Sequence, residues 1–317
     1  MILILSIYDD PSTNHVIDWL TFKNEKVLRV NTSKDIFKLF EKFNNIKLSN
    51  DENSLRVESI NSVWFRRSPI PNYSKIFNDS RASYETNRFL TSENNAILDL
   101  LYILLQDRKW LNDYKTSRPR KIDQLLIAKE VGLQIPNTAI ICTKSELTSF
   151  LEENGSLILK PLQDPYPIPF RKKNYMQYTS EVSNELINIL PNSFYPCLFQ
   201  QKINKNLEIR TFYLNGKCFS MAICSSFDKQ TRVDFRRYND TNPNRKVPYQ
   251  LPKKIEKKIH VLMRRLHLNC GSLDLILDNK GVYYYLEVNP VGQFGMVSFP
   301  CNYNLEKKIA EFLSAKQ

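Results

Sequence analysis

The sequence predicts an α/β protein with two or three lobes. Short apolar strands alternate with amphipathic helices over residues 1–117, an order typical of a small open α/β lobe. The chain has 317 residues, of which 42% are hydrophobic and 12% aromatic, so it can bury a core. A chain of this length indicates about two domains, or one enzyme of two to three lobes.

The elements of the first lobe follow from their periodicity. Short apolar runs predict strands at residues 2–7, 27–30 and 62–66. Apolar residues three and four positions apart predict helices at 15–22, at 33–43 behind a Ser33 cap, and at 81–105. Residues 117–120, Ser-Arg-Pro-Arg, predict a linker to the next lobe.

The rest of the chain carries clear start and stop signals. Gly132 ends a predicted helix at 121–131, and Thr143 with Glu146 forms a capping box for the next helix. Asn215-Gly216 predicts a hairpin turn. Strands are predicted at 139–142, 156–162, 197–203, 207–214 and 217–223, and helices at 183–190, 253–268 and from 305 onward. The proline-rich segment after Lys160 predicts a loop or irregular hairpin.

Composition and the N-terminus exclude several classes of protein. No apolar run approaches the roughly 18–20 residues that a membrane span needs. The opening MILILSIYDD has no basic region and turns acidic at Asp9, so it predicts a buried strand rather than a signal peptide. The six cysteines include no Cys-x-x-Cys pair and no zinc-spaced cluster, which indicates reduced thiols in the cytoplasm.

The net charge of +12 leaves the partner open at this point. It arises from 45 Lys and Arg against 33 Asp and Glu, spread along the chain without a long basic tail. Nucleic acid, an acidic membrane surface and an acidic substrate are all compatible with such an excess.

The strongest candidate for chemistry is the segment GSLDLILDNKGVYYYLEVNPVGQFG, residues 271–295. A hairpin turning at 278–281 with an even-numbered loop pairs Asp274 with Tyr285, and strand alternation puts Tyr285, Glu287 and Asn289 on the same face. Two carboxylates and an amide oxygen then converge, a donor set suited to Mg²⁺ that holds phosphates. A three-residue loop would reverse this parity. The alternative is an edge hairpin whose polar face meets water.

The spacing of these residues resembles the ATP-grasp ligases. In that family an acidic residue is followed thirteen positions later by Glu and then by x-Asn, and these residues bind two Mg²⁺ ions; Asp274, Glu287 and Asn289 match. The resemblance covers about residues 121–310. It implies an ATP-grasp fold with an N-terminal pre-ATP-grasp lobe (1–117), a central lid domain (118–200) and a C-terminal metal and nucleotide domain (201–317).

The same resemblance implies contacts to ATP. Lys121 matches the first ATP lysine of the family, and Lys160, in LILKPL, matches the lysine that contacts the α- and β-phosphates. The adenine hinge and the ribose-binding carboxylate are matched by Gln201, Lys202, Ile203 and Glu208. The arginines near the γ-phosphate and the acyl phosphate, which the resemblance makes catalytic, are matched by Arg210 and Arg236.

Each of these residues alone has an ordinary structural reading. A lysine on an apolar strand commonly extends its amine to solvent. Arg210 alone would be a salt-bridge partner on a sheet, and Arg66-Arg67 alone would be a solvated strand end. The order in which the motifs occur is what favours the ATP-grasp interpretation.

Three further segments narrow the resemblance. VWFRRSP, TRVDFRRY and NPVGQFGMVSFPCNYNLEKKIA are similar to the ATP-grasp peptide maturases that make graspetides, of the microviridin type and in particular its grasp-with-spasm branch. Such enzymes phosphorylate Asp or Glu side chains of a ribosomal precursor peptide with a leader segment, and a Ser/Thr hydroxyl or Lys amine of the same peptide then attacks. The resemblance implies a cytoplasmic homodimer with no nucleic-acid or membrane partner, and Arg66 and Arg67 are interpreted as peptide contacts.

One departure from the family concerns the lid. The phosphate-covering loop usually contains glycine, but the segment after Lys160 has none. Arg171 and Lys172, with Lys173, are predicted to supply phosphate contacts instead, the alternative being a solvated loop.

Two rival functions remain open from the sequence. One is a RimK-like ligase that adds free amino acids to a protein or small acid. The other is a non-catalytic module that binds nucleic acid or peptide through its basic surface.

Overall fold

The computed structural model describes residues 1–31, 47–49, 54–67, 83–116, 119–163, 168–170, 173–176, 178–224 and 244–315. The chain divides into two compact units. The first contains Met1–Ser117, His267–Cys270 and Pro290–Gln317, and the second contains Arg118–Leu266 and Gly271–Asn289. The predicted boundary at residue 117 stays a prediction, because the first unit also includes residues 267–270 and 290–317. The predicted boundary at residue 200 falls inside the second unit and stays a prediction.

The strands and helices follow one another along the chain as α/β structure. The strands are β1 (Ile2–Ser6), β2 (Val27–Asn31), β3 (Lys47–Ser49), β4 (Ser54–Arg56), β5 (Ser62–Phe65), β6 (Lys109–Leu111), β7 (Thr138–Thr143), β8 (Leu157–Lys160), β9 (Ile168–Phe170), β10 (Lys173–Tyr175), β11 (Ser180–Glu181), β12 (Ser193–Gln201), β13 (Lys205–Leu214), β14 (Lys217–Cys224), β15 (Arg245–Tyr249), β16 (Cys270–Asp278) and β17 (Tyr283–Asn289). The helices are α1 (Pro11–Phe22), α2 (Ser83–Leu105), α3 (Lys121–Glu130), α4 (Lys144–Asn154), α5 (Asn184–Ile189), α6 (Lys253–Arg265), α7 (Gly295–Cys301) and α8 (Leu305–Ser314).

The first unit is built on a parallel four-stranded sheet in the order β2-β1-β5-β6. Every residue of β1 is buried, which explains its continuous apolar run, because a parallel sheet is covered on both faces. The core of this unit contains Leu3, Leu5, Val30, Val63 and Leu105. Among the described residues, no helix is both long and apolar enough to cross a lipid bilayer.

A buried ion pair follows β1 and β5 in this unit. The Arg66 side chain is only 1% exposed, and its Nε donates to Asp10 Oδ2 at 3.1 Å. Its Nη1 donates to the carbonyl oxygen of Gly292 at 2.6 Å, and Thr13 donates to the same Asp10 oxygen at 2.9 Å. The solvated strand end is therefore wrong for Arg66, and its burial argues against the predicted peptide contact. The Arg67 side chain is about one third exposed (34%) and remains suited to such a contact.

The ion pair also sets the ionisation of Asp10. Burial raises the pKa of Asp10, but the charge of Arg66, the hydrogen bond from Thr13 and the charge of Arg67 together hold it below its usual 3.8. A carboxyl with a depressed pKa in the folded state stabilises the fold above its unfolded pKa. That stabilisation is lost as the pH falls through the folded value.

The second unit contains an antiparallel sheet of four strands (β11-β8-β12-β7), a sheet of five strands (β15-β14-β13-β16-β17) and the two-stranded sheet of β9 and β10. The four-stranded sheet packs on α4 and α5 through a core that includes Leu147, Leu157 and Phe199. The capping box is confirmed: Thr143 Oγ1 accepts from the Glu146 N–H at 3.3 Å. In the five-stranded sheet, β13 and β14 are joined at Asn215-Gly216, both with positive φ, as the sequence predicts.

Several predicted elements differ from the structure. Helix α7 and the strands β3, β4, β6, β11 and β15 were not predicted. The proline-rich segment after Lys160 includes a short hairpin of β9 and β10, one of its two predicted forms. The predicted helix at 33–43 lies outside the described residues.

The Asp10–Arg66 pair generates the first prediction. Asp10→Asn leaves a buried guanidinium without its countercharge, which should lower the free energy of unfolding by about 3 kcal/mol at neutral pH. Because the variant lacks the depressed carboxyl, its stability should also fall less steeply than that of the wild type below about pH 4. Urea unfolding followed over pH measures both quantities. Asp18→Asn, at an exposed carboxyl on α1, is the matched control; equal losses in the two variants would contradict the prediction.

Candidate functional site

The site is centred on the β16–β17 hairpin, whose register contains two irregularities. The N–H of Asp278 donates to Val282 O, so residues 279–281 form a three-residue turn, with Gly281 at φ +81°. From there Leu275 pairs with Tyr285, but Asp274 pairs with Glu287. Leu286 is therefore an extra residue, a β-bulge in β17.

These two irregularities cancel. The predicted even-numbered loop is wrong, and the three-residue turn alone would have moved Glu287 to the face opposite Asp274. The bulge restores the parity, so Asp274 and Glu287 face each other directly, and Asn289 lies opposite Ser272, on the same face. The predicted pairing of Asp274 with Tyr285 is also wrong, because the bulge turns Tyr285 to the other face, where it is fully buried.

Two cations lie against the carboxylate pair. Arg210, on β13, places Nη1 2.6 Å from Asp274 Oδ1 and 2.8 Å from Oδ2. Lys121, at the start of α3, places Nζ 3.9 Å from Glu287 Oε2 and donates to Gln163 O at 3.4 Å. Like charges directly opposite on a sheet repel, so the two cations offset a repulsion that the register creates.

A third carboxylate, that of Glu208, lies on the same five-stranded sheet as this pair. Its side chain lies on β13 and is mostly buried, and Oε1 is ion-paired with Lys205. Among the described residues, no hydrogen-bond donor reaches the buried Oε2. An unpaired buried carboxylate oxygen suits the hydroxyl donors of a ribose, the role that the resemblance implies for Glu208.

The remaining predicted nucleotide residues lie on the four-stranded sheet and the strand end beside it. Lys160 ends β8 and is paired in register with Leu198 of β12. Gln201 ends β12, and Lys202 and Ile203 follow it; Lys202 Nζ donates to Glu181 at 2.5 Å. Arg171, Lys172 and Arg236 lie outside the described residues, so the structure does not place these three predicted contacts.

Sequence reasoning missed Gln124, which ties α3 to the hairpin. Its Oε1 accepts from the hydroxyl of Tyr285 at 3.0 Å and from the N–H of Val288 at 2.8 Å. Burial, followed by the charges of Glu287 and Asp274, raises the pKa of Tyr285 well above its usual value, so its hydroxyl stays a donor. The available signal was a polar residue at a position on α3 where the helical period predicts burial.

The donor set fits a magnesium ion held together with a nucleotide. Among the described residues there is no group of three or more His, Cys, Asp or Glu able to hold a metal. Mg²⁺, however, is usually held by one or two carboxylates, with waters and phosphate oxygens completing the shell. Asp274, Glu287 and Asn289 have the oxygen ligands of such a set on one face of the hairpin, and the ribose contact of Glu208 stays a prediction.

Comparison with known proteins gives a clear result for the fold. No family model matches the chain, and no curated protein matches it. Solved structures do match. The macrocyclase MdnC bound with precursor peptide MdnA, from Microcystis aeruginosa MRC, is similar with a TM-score of 0.82 at 24% identity, over 98% of each chain.

Two other solved structures widen the comparison. The RiPP-associated ATP-grasp ligase of Chryseobacterium gregarium, in complex with ADP and a leader and core peptide, has a TM-score of 0.82 at 23% identity, over 98% of this chain and 94% of that one. D-alanyl-alanine synthetase A of Vibrio cholerae O1 biovar eltor has a TM-score of 0.60 at 13% identity, over 99% and 96%. The chain therefore has the ATP-grasp fold, which confirms the predicted fold class.

The Gln124 contact generates a prediction about stability. Gln124→Leu leaves the buried Tyr285 hydroxyl and the Val288 N–H without an acceptor, which should cost about 2–4 kcal/mol in the free energy of unfolding. Tyr285→Phe alone should cost about 1 kcal/mol, but in the Gln124→Leu background it removes an unpaired hydroxyl and should cost nothing or stabilise the protein. Chemical unfolding of the four proteins measures this coupling. An equal cost of Tyr285→Phe in both backgrounds would show that the hydrogen bond contributes nothing.

Proposed function

We propose that this protein is an ATP-dependent ligase that cross-links a ribosomal precursor peptide. It would phosphorylate Asp or Glu side chains of the peptide and join them to Thr or Ser hydroxyls, or to Lys amines, as intramolecular esters or amides. The observation that carries the proposal is the direct pairing of Asp274 with Glu287, flanked by Arg210 and Lys121. Acidic ligands beside cationic side chains are what magnesium and a triphosphate require.

The similar structures support the choice of a peptide substrate. The Microcystis protein is a macrocyclase bound with its precursor peptide, and the Chryseobacterium ligase is in complex with ADP and with leader and core peptides. A third similar protein, the ATP-grasp ligase PsnB, is complexed with minimal precursor, Mg and ADP, with a TM-score of 0.75 at 15% identity. The net charge of +12 favours an acidic partner of the same kind.

Magnesium, when held by Asp274, Glu287 and Asn289, supplies neutralisation of phosphate charge. The roles of this chain's own residues follow from their positions. Glu208 Oε2 accepts from a ribose hydroxyl, and Lys121 and Lys160 lower the negative charge that repels an incoming carboxylate. Arg210, now engaged with Asp274, has the fork of donors that binds phosphate oxygens in pairs.

The reaction balances without a nucleophile from the protein. A carboxylate oxygen of the peptide attacks the γ-phosphorus and ADP leaves; the hydroxyl or amine of the peptide then attacks the acyl carbon, losing its proton as phosphate leaves. Each cross-link consumes one ATP and releases the elements of one water from the peptide. Burial raises the pKa of Cys218 and of Cys270 to about 12, so neither of these thiols is an effective nucleophile.

The proposal includes a cytoplasmic homodimer that recognises the leader segment of its peptide, with no nucleic-acid or membrane partner. The second candidate function is a RimK-like ligase, because the same site would activate the carboxylate of a protein or small acid for attack by a free amino acid. The two functions differ in the mass of the product: cross-linking lowers the mass of the peptide by one water per ring, whereas addition raises it by one residue per event.

Mass spectrometry with ATP, Mg²⁺ and a candidate acidic precursor tests the proposal. The wild type is expected to give stepwise loss of water. Asp274→Ala and Glu287→Ala should each abolish it, because the lost carboxylate leaves the phosphates without a metal ligand. Glu152→Ala, at an exposed carboxylate on α4, should retain full activity and controls for the loss of one negative charge. Full activity in either the Asp274 or the Glu287 variant would contradict the role of these residues as metal ligands. A gain in the mass of the peptide would favour the RimK-like ligase.

A further inference from the structure

Asn112 is a buried polar residue of the first unit with an unusual backbone conformation. It follows β6, has a left-handed backbone with φ +52°, and is only 4% exposed. Asparagine tolerates this conformation better than most residues, which accounts for its backbone but not for the burial of its amide. A buried amide must find partners for both its donor and its acceptor.

The side-chain amide of Asn112 makes four hydrogen bonds, all to backbone at the ends of the β16–β17 hairpin or next to them. Asn112 Nδ2 donates to Cys270 O at 2.9 Å and to Pro290 O at 2.8 Å. Its Oδ1 accepts from the N–H of Cys270 at 3.0 Å and of Asn269 at 3.3 Å. In sequence, Cys270 comes immediately before the residues 271–289 and Pro290 immediately after them.

The sequence explains why an amide is needed at this place. The ladder between the two strands ends where Ser272 pairs with Asn289. Pro290 has no N–H and cannot continue it. Asn112 binds both the N–H and the carbonyl of Cys270, as a paired strand residue would, and it also binds the Pro290 carbonyl. One side chain thereby joins the two strand ends where the ladder stops.

We propose that Asn112 is a positioning residue that holds the ends of the β16–β17 hairpin together and so fixes Asn289 beside Asp274 and Glu287. The role rests on the proposed function, because it matters through the magnesium site. Asn289 is the last paired residue of β17, so it is the member of the donor set most exposed to fraying of the strand end. A bidentate amide across the two ends opposes that fraying.

Two measurements on Asn112→Gly test this role. Glycine accepts the positive φ, so the variant removes the amide without straining the backbone. Hydrogen exchange of the backbone amides at the strand ends should become faster. The Mg²⁺ concentration that gives half of the thermal stabilisation by ADP should rise about tenfold. This is the lower end of the loss in metal affinity seen when a residue that supports metal ligands is changed. ADP binding without Mg²⁺ should change little.

The matched control is Asn24→Gly, which makes the same substitution at an exposed residue with φ +59°. It should leave both measurements at the wild-type values. Should Asn112→Gly fail to fold, Asn112→Asp takes its place. This variant keeps the size of the side chain and one acceptor but sets a carboxylate oxygen against two carbonyls, and it is expected to change both measurements in the same direction.

The outcomes separate this role from the function on which it rests. Wild-type exchange rates and Mg²⁺ requirement in the Asn112 variant would overturn the positioning role while leaving the proposed function intact. Absence of any Mg²⁺-dependent stabilisation by ADP in the wild type would overturn the proposed function and the positioning role together. Faster exchange with an unchanged Mg²⁺ requirement would reduce Asn112 to a structural residue and overturn its role at the site.

Discussion

The site depends on one electrostatic constraint: two carboxylates held directly opposite each other on a hairpin. Asp274 and Glu287 are a cross-strand pair, so their mutual repulsion must be offset by a cation. In the structure Arg210 and Lys121 offset it. Under the proposed function these carboxylates would hold Mg²⁺, and Arg210 would then be free to bind phosphate. The charge that costs stability in the fold is thus the charge that the proposed chemistry would use.

The backbone that maintains this pair has a specific design. A three-residue turn and a one-residue bulge each shift the register, and together they return Glu287 to the face of Asp274. Gln124 binds the bulged strand by accepting hydrogen bonds from the hydroxyl of Tyr285 and the N–H of Val288. The orientation of the carboxylates therefore depends on packing on the opposite face of the sheet.

The sequence predicted the part of this arrangement that depends on spacing and charge. Through the resemblance to the ATP-grasp ligases, the separation of Asp274, Glu287 and Asn289 and the ordered lysines indicated the ATP-grasp fold, which is confirmed, and a magnesium site, which stays a prediction. The prediction that Asp274 and Glu287 share a face was right, but the loop length and the pairing from which it was derived were wrong. Strand alternation contains no information about a bulge that tertiary packing stabilises. Arg66 shows the same limit: an arginine after a strand is usually solvated, and only the contacts to Asp10 and Gly292 explain its burial.

The central claim is that Asp274, Glu287 and Asn289 hold the metal that carries the nucleotide phosphates. A crystal structure of the protein with ADP and Mn²⁺ tests it most directly, because an anomalous difference map locates the manganese. We expect a manganese peak coordinated by oxygens of all three residues and of the diphosphate, with Arg210 moved from Asp274 to a phosphate oxygen. A metal bound elsewhere, or ADP bound while Arg210 keeps its bidentate contact with Asp274, would contradict it.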